Sequence, residues 1–287
     1  METTNLTLEV PGAGSVQVTI DEQGSGQPVL LLHGGGGPNT VANFAELLAA
    51  TRPARVITPT HPGFGGTPRS DGLSTIAGLA ELYAALLDHL AVEDVTVIGS
   101  SIGGWIATEL ALLGSPRVSG IVLVDAVGLE VPGHPVVDFF SLTMEEVFER
   151  SFHDPAGFAI LPEALPPAAQ EVMASDRRSL ATYAGESMTD PTLGDRLAYL
   201  AVPTLVVWGD RDRIVDPGYG RAYAAAIPKA RFHLLTGTGH MPQMETPDQL
   251  LDAIWDASEP VFQADRVHGG ALMAKTTVTP NRPPRAT

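Results

Sequence analysis

Ser101 lies in Gly99-Ser100-Ser101-Ile102-Gly103, a G-x-S-x-G pentapeptide that offers a serine hydroxyl as a nucleophile. Alone the pentapeptide is a weak signal, and its bland reading is a strand–helix turn with a capping serine. Its setting strengthens the chemical reading. The apolar run Val95–Ile98 precedes it and a helical pattern opens near Ile102. A sharp turn there would hold the serine in a strained conformation and project Oγ above a sheet edge. The flanking glycines would let strand and helix backbones approach closely.

A serine hydroxyl is a poor nucleophile at neutral pH, so a base and an orienting acid are required. Trp208-Gly209-Asp210-Arg211-Asp212 offers two acids after the run Thr204–Val207, and Gly237-Thr238-Gly239-His240 offers an imidazole after Arg231–Leu235. Parallel strands would bring these loops to one rim, in the chain order serine, acid, histidine. His33-Gly34-Gly35-Gly36-Gly37-Pro38 follows the run Val29–Leu32. Its glycines can face a ligand with bare N–H groups, which suits half of an oxyanion hole completed by the N–H of Ile102. A flexible loop and a phosphate nest compete with this reading. The nest is disfavoured, since the loop has no Walker lysine–serine pair and no G-x-G-x-x-G opening a helix.

The elements that must position these groups are legible as a rhythm. Leu6–Val10 and Val16–Ile20 alternate around Pro11-Gly12-Ala13-Gly14 and predict an amino-terminal hairpin. Unalternating apolar runs then recur at Val29–Leu32, Arg55–Thr58, Val95–Ile98, Ile121–Val124, Thr204–Trp208 and Arg231–Leu235. Such runs suit parallel strands buried on both faces. Ile76, Leu79, Leu82, Tyr83, Leu86, Leu87 and Leu90 mark one helix face, and Ile102–Leu113 a second helix closed by Gly114. The expected fold class is α/β, a mostly parallel, doubly wound sheet. Between about Leu129 and Arg196 the rhythm breaks into proline-rich and amphipathic pieces such as Met144–Phe152, read as an inserted helical lid. The expected organisation is a core over 1–128 and 197–260, a helical cap over 129–196, and a disordered tail over 261–287.

Taken together, the chain resembles the α/β-hydrolase fold family over roughly Leu6 to Ala257. The resemblance rests on His33-Gly34-Gly35, Gly99–Gly103, Gly209–Asp212 and Gly239-His240, with His61-Pro62-Gly63-Phe64-Gly65 as a packing turn. It implies that Ser101 attacks, that His240 relays the proton and that Asp212 orients the imidazole, with Gly35 and Ile102 as oxyanion donors. Gly36 is the alternative donor. Asp212 is chosen over Asp210 because the family's acid stands three residues after this glycine. Asp125 is the reserve acid, since some members take theirs from that strand end. Dehalogenases of this fold are disfavoured, because they use a carboxylate where this chain has Ser101.

The resemblance implies a cofactor-free serine hydrolase acting on a small, largely apolar ester. A carbon–carbon bond hydrolase of the ring-cleavage type is the alternative. Asn43 resembles those enzymes and Arg177 could meet a substrate carboxylate, but Ser100 replaces their usual Asn and Met241 their frequent Trp. A non-catalytic binder of the same fold is a third reading. Trp105, Phe139, Met144 and Met241 are candidate pocket residues. Phe139, Phe140, Met144, Phe148 and Phe152 read equally well as a small core of the cap itself.

Composition narrows the classes further. The 287 residues carry a formal charge of −16 and no cysteine. Disulfide frameworks, cysteine–zinc sites and thiol catalysis are excluded, and nucleic-acid binding is disfavoured. The histidines show no metal-ligand spacing, so no metal is expected. No apolar run approaches a bilayer span, and Met1–Val10 has no leader pattern. A cytoplasmic protein, monomeric or homodimeric, with a small-molecule substrate and no membrane partner, is the expectation.

Overall fold

Residues that alternate between two packed faces explain the unalternating apolar runs. In β3 (Gln27–Leu32), Val29 and Leu31 enter one hydrophobic core while Leu30 and Leu32 enter another. The same division holds in β6 (Val118–Val124), where Ile121 and Leu123 oppose Val122 and Val124. It holds again in β9 (Thr204–Gly209), where Leu205 and Val207 oppose Val206 and Trp208. Both faces of these strands are apolar because both are covered by helices.

The structure is a computed structural model and describes residues 2–158 and 164–255. The expected tail over 261–287 lies outside the described residues. β1 (Glu2–Val10) and β2 (Gly14–Gly24) form the antiparallel hairpin, with Leu8, Val10, Val16, Val18 and Ile20 buried. β2 runs antiparallel to β4 (Ala54–Thr60). The remaining strands pair in parallel. With β5 (Val95–Ser100) and β10 (Arg231–Leu235), the eight-stranded order is β1-β2-β4-β3-β5-β6-β9-β10.

One core receives α2 (Ile76–Leu90) and α3 (Ile102–Leu112), together with Tyr219 and Tyr223 of α7 (Pro217–Ala226). The other receives α1 (Asn39–Thr51) and α9 (Pro247–Trp255). Thr75 caps α2 by accepting from the Gly78 N–H, and Gly114, at φ +71°, ends the α3 turn. α3 stops one residue earlier than the sequence pattern predicts, at Leu112. β10 departs from its sequence reading more clearly. It is the edge strand, and His233 and Leu234 are exposed instead of buried on both faces.

Between β6 and β9 lie α4 (Met144–Ser151), α5 (Pro167–Ala184) and α6 (Leu193–Leu197). A two-stranded parallel pair that periodicity does not reveal, β7 (Gly128–Leu129) and β8 (Thr189–Asp190), ties this insertion's two ends together. α4 starts with a capping box in which Thr143 and Glu146 satisfy each other's backbone N–H groups. Leu193 and Leu197 are fully buried, and Arg196 grips Glu109 of α3. The carboxy-terminal part of the insertion is therefore welded to the sheet's helical layer. No helix among the described residues is long and apolar enough to cross a membrane.

Candidate active site

The turn at Ser101 is strained, with φ +55° and ψ −117° on a non-glycine residue that links β5 directly to α3. Backbone hydrogen bonds hold it there. Ser101 N–H donates to Val124 O, and Ser101 O accepts from the N–H groups of Gly104, Trp105 and Val127. The glycines are a steric requirement. A Cβ at Gly99 would overlap Gly103 O, and one at Gly103 would overlap Leu32 O and stand 2.7 Å from His33 O. As the first residue of α3, Ile102 has no intrahelical partner for its N–H.

The glycine loop folds back on itself through a Gly37 N–H bond to Gly34 O. Gly35 and Gly36 occupy the middle of that turn, so neither N–H is consumed by it. A Cβ at Gly34 would stand 3.2 Å from Ser101 Cβ, which puts the loop against the serine. Two buried histidines brace the loop from behind. His33 Nε2 accepts from the His61 N–H at 3.1 Å, so its proton sits on Nδ1 and is given to Gly34 O at 2.7 Å. His61 Nε2 donates to His33 O at 2.9 Å, and its Nδ1 accepts from the Tyr83 hydroxyl. Both rings are thereby fixed as neutral tautomers. Burial pushes the His33 pKa down to about 4, against the pull of Gly34 O. Burial and then the neighbouring His33 push His61 well below its ordinary value.

Asp212 and His240 meet at the carboxyl ends of β9 and β10. His240 Nδ1 lies 2.8 Å from Asp212 Oδ2, with both side chains buried. Asp212 Oδ1 accepts from the N–H groups of Ile214 and Val215 at 2.8 and 3.1 Å, which locks the carboxylate's plane. Asp210 points elsewhere and fixes the histidine loop through the N–H groups of Gly237 and Thr238. Asp125 at the end of β6 is fully buried close to the pair. Ser101 is half-buried, and its hydroxyl forms no hydrogen bond among the described residues.

The insertion reaches this rim at two places that the sequence reading misses. On α5, Asp176, Ser179, Leu180 and Tyr183 share one face. Asp176 Oδ1 accepts from Gly65 N–H at 2.8 Å, Ser179 Oγ donates to Gly63 O, and Tyr183 OH donates to Pro62 O. Leu180 covers Gly35 so closely that a Cβ there would stand 2.8 Å from Leu180 Cδ2. Near the end of α4, His240 N–H donates to Ser151 O at 2.7 Å, and Arg213 donates to the carbonyls of Arg150 and Phe152. Glu245 then accepts from both Gly239 N–H and Asp154 N–H, clasping histidine loop to insertion.

The candidate pocket residues divide. Trp105 is buried against Gly128, and its indole N–H donates to Glu109, so it packs the elbow helix to the insertion's base. Phe139 and Phe140 form an edge-to-face pair under the Arg177 guanidinium, which also donates to three carbonyls and reaches Met144 Sδ at 3.8 Å. Phe139 and Phe140 are half-buried against the main core, and Arg177, read as able to meet a substrate carboxylate, is engaged beside them. Phe152 is buried and stacks on Phe158. Asn43 is exposed on α1. Met241, half-buried beside His240, accepts from Gln243 through its sulfur.

Asp176 makes one contact of α5 pH-sensitive. Burial raises its pKa to about 6, against the Gly65 hydrogen bond that favours the anion. Raised above the unfolded value near 3.9, its contribution to docking is complete below about pH 4 and is lost as pH rises through about 6. His33 acts in the opposite sense. Its contribution is complete above about 6.5 and is lost as pH falls through about 4. Asp176→Asn keeps the acceptor for Gly65 and removes the buried charge. It is expected to raise stability by about 1 kcal/mol at pH 8 and to change nothing at pH 4, as read by thermal unfolding.

A strained serine on a strand–helix turn, a glycine loop against it and an acid–histidine pair on the same rim define an α/β-hydrolase. The "Alpha/beta hydrolase family" pattern matches residues 29–253, and the chain belongs to that family. Several of its relatives are named as lipases or hydrolases. It is 28% identical over 281 residues to "Lipase 1" of Psychrobacter immobilis, covering 93% of this chain and 86% of the relative. It is 31% identical over 265 residues to a 2-hydroxy-6-oxononadienedioate/2-hydroxy-6-oxononatrienedioate hydrolase of Paraburkholderia xenovorans, covering 82% and 88%. Among solved structures, a thermophilic esterase from Thermogutta terrifontis superposes with a TM-score of 0.73 at 26% identity, covering 90% of this chain and 99% of that one. The protein is an enzyme of the hydrolase class.

Proposed function

We propose that the protein is a serine hydrolase of small, largely apolar esters, working through Ser101, His240 and Asp212. The observation that carries this reading is the buried 2.8 Å Asp212–His240 bond on the rim that also bears the strained Ser101. A carboxylate can only accept, so Nδ1 of the neutral ring carries the proton and Nε2 is left as the base. Nε2 takes the Ser101 proton as Oγ bonds to the ester carbonyl carbon. The same proton passes to the departing alkoxide as the carbon–oxygen bond breaks. Water then repeats the sequence on the acyl-enzyme. Contacts between nucleophile and base tighten when substrate binds, which suits a Ser101 hydroxyl that is unengaged here.

The N–H groups of Ile102 and of Gly35 receive the oxyanion, with Gly36 as the alternative donor; losing one such donor lowers turnover about 100- to 1000-fold. Residues 129–196 act as a helical cap, and no cofactor takes part. Carbon–carbon hydrolysis is the second reading, favoured by the Paraburkholderia relative's name. It is weakened by the engagement of Arg177 and the exposure of Asn43.

A fluorophosphonate probe is expected to label the folded protein on Ser101, located by peptide mass mapping. A folded but unlabelled protein would overturn the reading and favour the binder. p-Nitrophenyl esters of increasing chain length, run beside a vinylogous diketone, separate the two hydrolytic readings.

A further inference from the structure

The carboxyl of Asp125 is fully buried, with one of its roughly four acceptor sites used. Oδ1 accepts from Gly209 N–H at 2.9 Å, and Oδ2 has no partner as an acceptor. A buried polar atom left so calls for an explanation. One lies beside it. An oxygen of Asp125, an oxygen of Asp212 and a ring nitrogen of His240 all fall within 4.8 Å of one another. Asp212 uses three of its roughly four acceptor sites on Ile214, Val215 and His240. Two carboxylates this close and this dry do not both ionise. The one with three donors keeps the charge, and the one with a single donor keeps the proton.

We propose that Asp125 is a positioning residue whose neutral carboxyl donates a hydrogen bond from Oδ2 to the Asp212 carboxylate and so holds that acid against His240. This rests on the triad reading above. Burial, and then the adjacent Asp212, raise the Asp125 pKa well above the ordinary range, in the same sense. The backbone agrees as well. Asp125 sits at φ +46°, a left-handed conformation that Asp and Asn tolerate better than other side-chain-bearing residues. Its N–H donates to Val207 O, which anchors it between the strand carrying it and the strand carrying Asp212.

Asn reproduces every feature claimed here. Its amide oxygen can accept from Gly209, its NH₂ can donate to Asp212, and it carries no charge. Asp125→Asn is expected to keep kcat/KM for p-nitrophenyl acetate within about threefold and to leave the acid limb of its pH profile in place. Asp125→Ala removes the donor. It is expected to lower kcat about tenfold at unchanged KM and to move the acid limb upward, because Asp212 without its donor holds the imidazolium more tightly. Loosened packing alone would not move that limb.

A loss of about 10⁴ in Asp125→Asn would make Asp125 itself the acid and overturn the proposal. A downward move of its acid limb would show that a negative charge had been removed, and would overturn it equally. Carbon-13 labelling of the aspartates decides the matter without turnover. The Asp125 carboxyl resonance, identified by its absence in Asp125→Asn, should hold the protonated position from about pH 5 to 8, and a carboxylate position at neutral pH would overturn the proposal. If fluorophosphonate fails to label the wild type, the triad reading falls while this resonance still reports on Asp125.

Discussion

Asp212→Asn is expected to lower kcat about 10⁴-fold while leaving the fold and KM nearly unchanged. The amide is isosteric, and its oxygen can still accept from Ile214 and Val215, so the loop keeps its shape. What changes is the other end of the side chain. The NH₂ placed where Oδ2 stood is a donor, and it faces His240 Nδ1 at the position now 2.8 Å away. The ring then satisfies that donor by giving up its Nδ1 proton, and the tautomer carries hydrogen on Nε2, where the base should be. The imidazolium formed on proton transfer also loses its counter-charge. Steady-state kinetics on p-nitrophenyl acetate, with circular dichroism to verify folding, measure the effect. A loss smaller than tenfold would remove Asp212 from the acid's role and give that role to Asp125.

That choice between acids illustrates what the sequence makes legible. The family resemblance selects Asp212, three residues after Gly209, while the loops bearing Ser101, Asp212 and His240 follow strands whose parallel order carries them to one rim. That order is a local pattern repeated along a regular sheet, so period and turn suffice to read it, whereas the choice of acid needs the family's pattern. Contacts made across the insertion leave no such trace. Glu245 joins Gly239 to Asp154, 91 residues away in the chain, and nothing near Glu245 announces the partner. Arg177 looks available for a carboxylate until the Phe139, Phe140 and Leu142 carbonyls gather around it. The exposure of β10 has a similar cause. Its apolar run matches the buried strands, but having β9 on one side and no strand among the described residues on the other is a property of the whole sheet. α2 is the opposite case. Ile76, Leu79, Leu82, Tyr83, Leu86 and Leu87 carry the plain helical spacing expected of one face, and all are buried.

Gly103→Ala is expected to prevent accumulation of the folded protein, whereas Gly218→Ala is expected to be tolerated, although both would create a steric overlap. At Gly103 the added methyl meets Leu32 O and His33 O, with Leu32 C at 2.8 Å. All three atoms are backbone, and two belong to the end of β3, which pairs with β4 and β5 on either side. Relief would require moving a central strand or lifting α3 off the sheet, and the Ser101 turn lies between them. Such overpacking exceeds the roughly 1–3 kcal/mol typical of side-chain adjustments, because no rotamer change can absorb it. At Gly218 the three atoms nearest the methyl all belong to the ring of His134, two of them closer than Nε2 at 2.7 Å. That side chain is 42% exposed and held to Asp216 by a surface contact of its Nδ1 at 2.7 Å. It can swing away at the loss of an interaction worth less than about 1 kcal/mol. Soluble yield and thermal unfolding of the two variants separate the cases. A well-folded Gly103→Ala protein with an unshifted melting temperature would mean that β3 and α3 are not in the close contact on which the elbow's geometry depends.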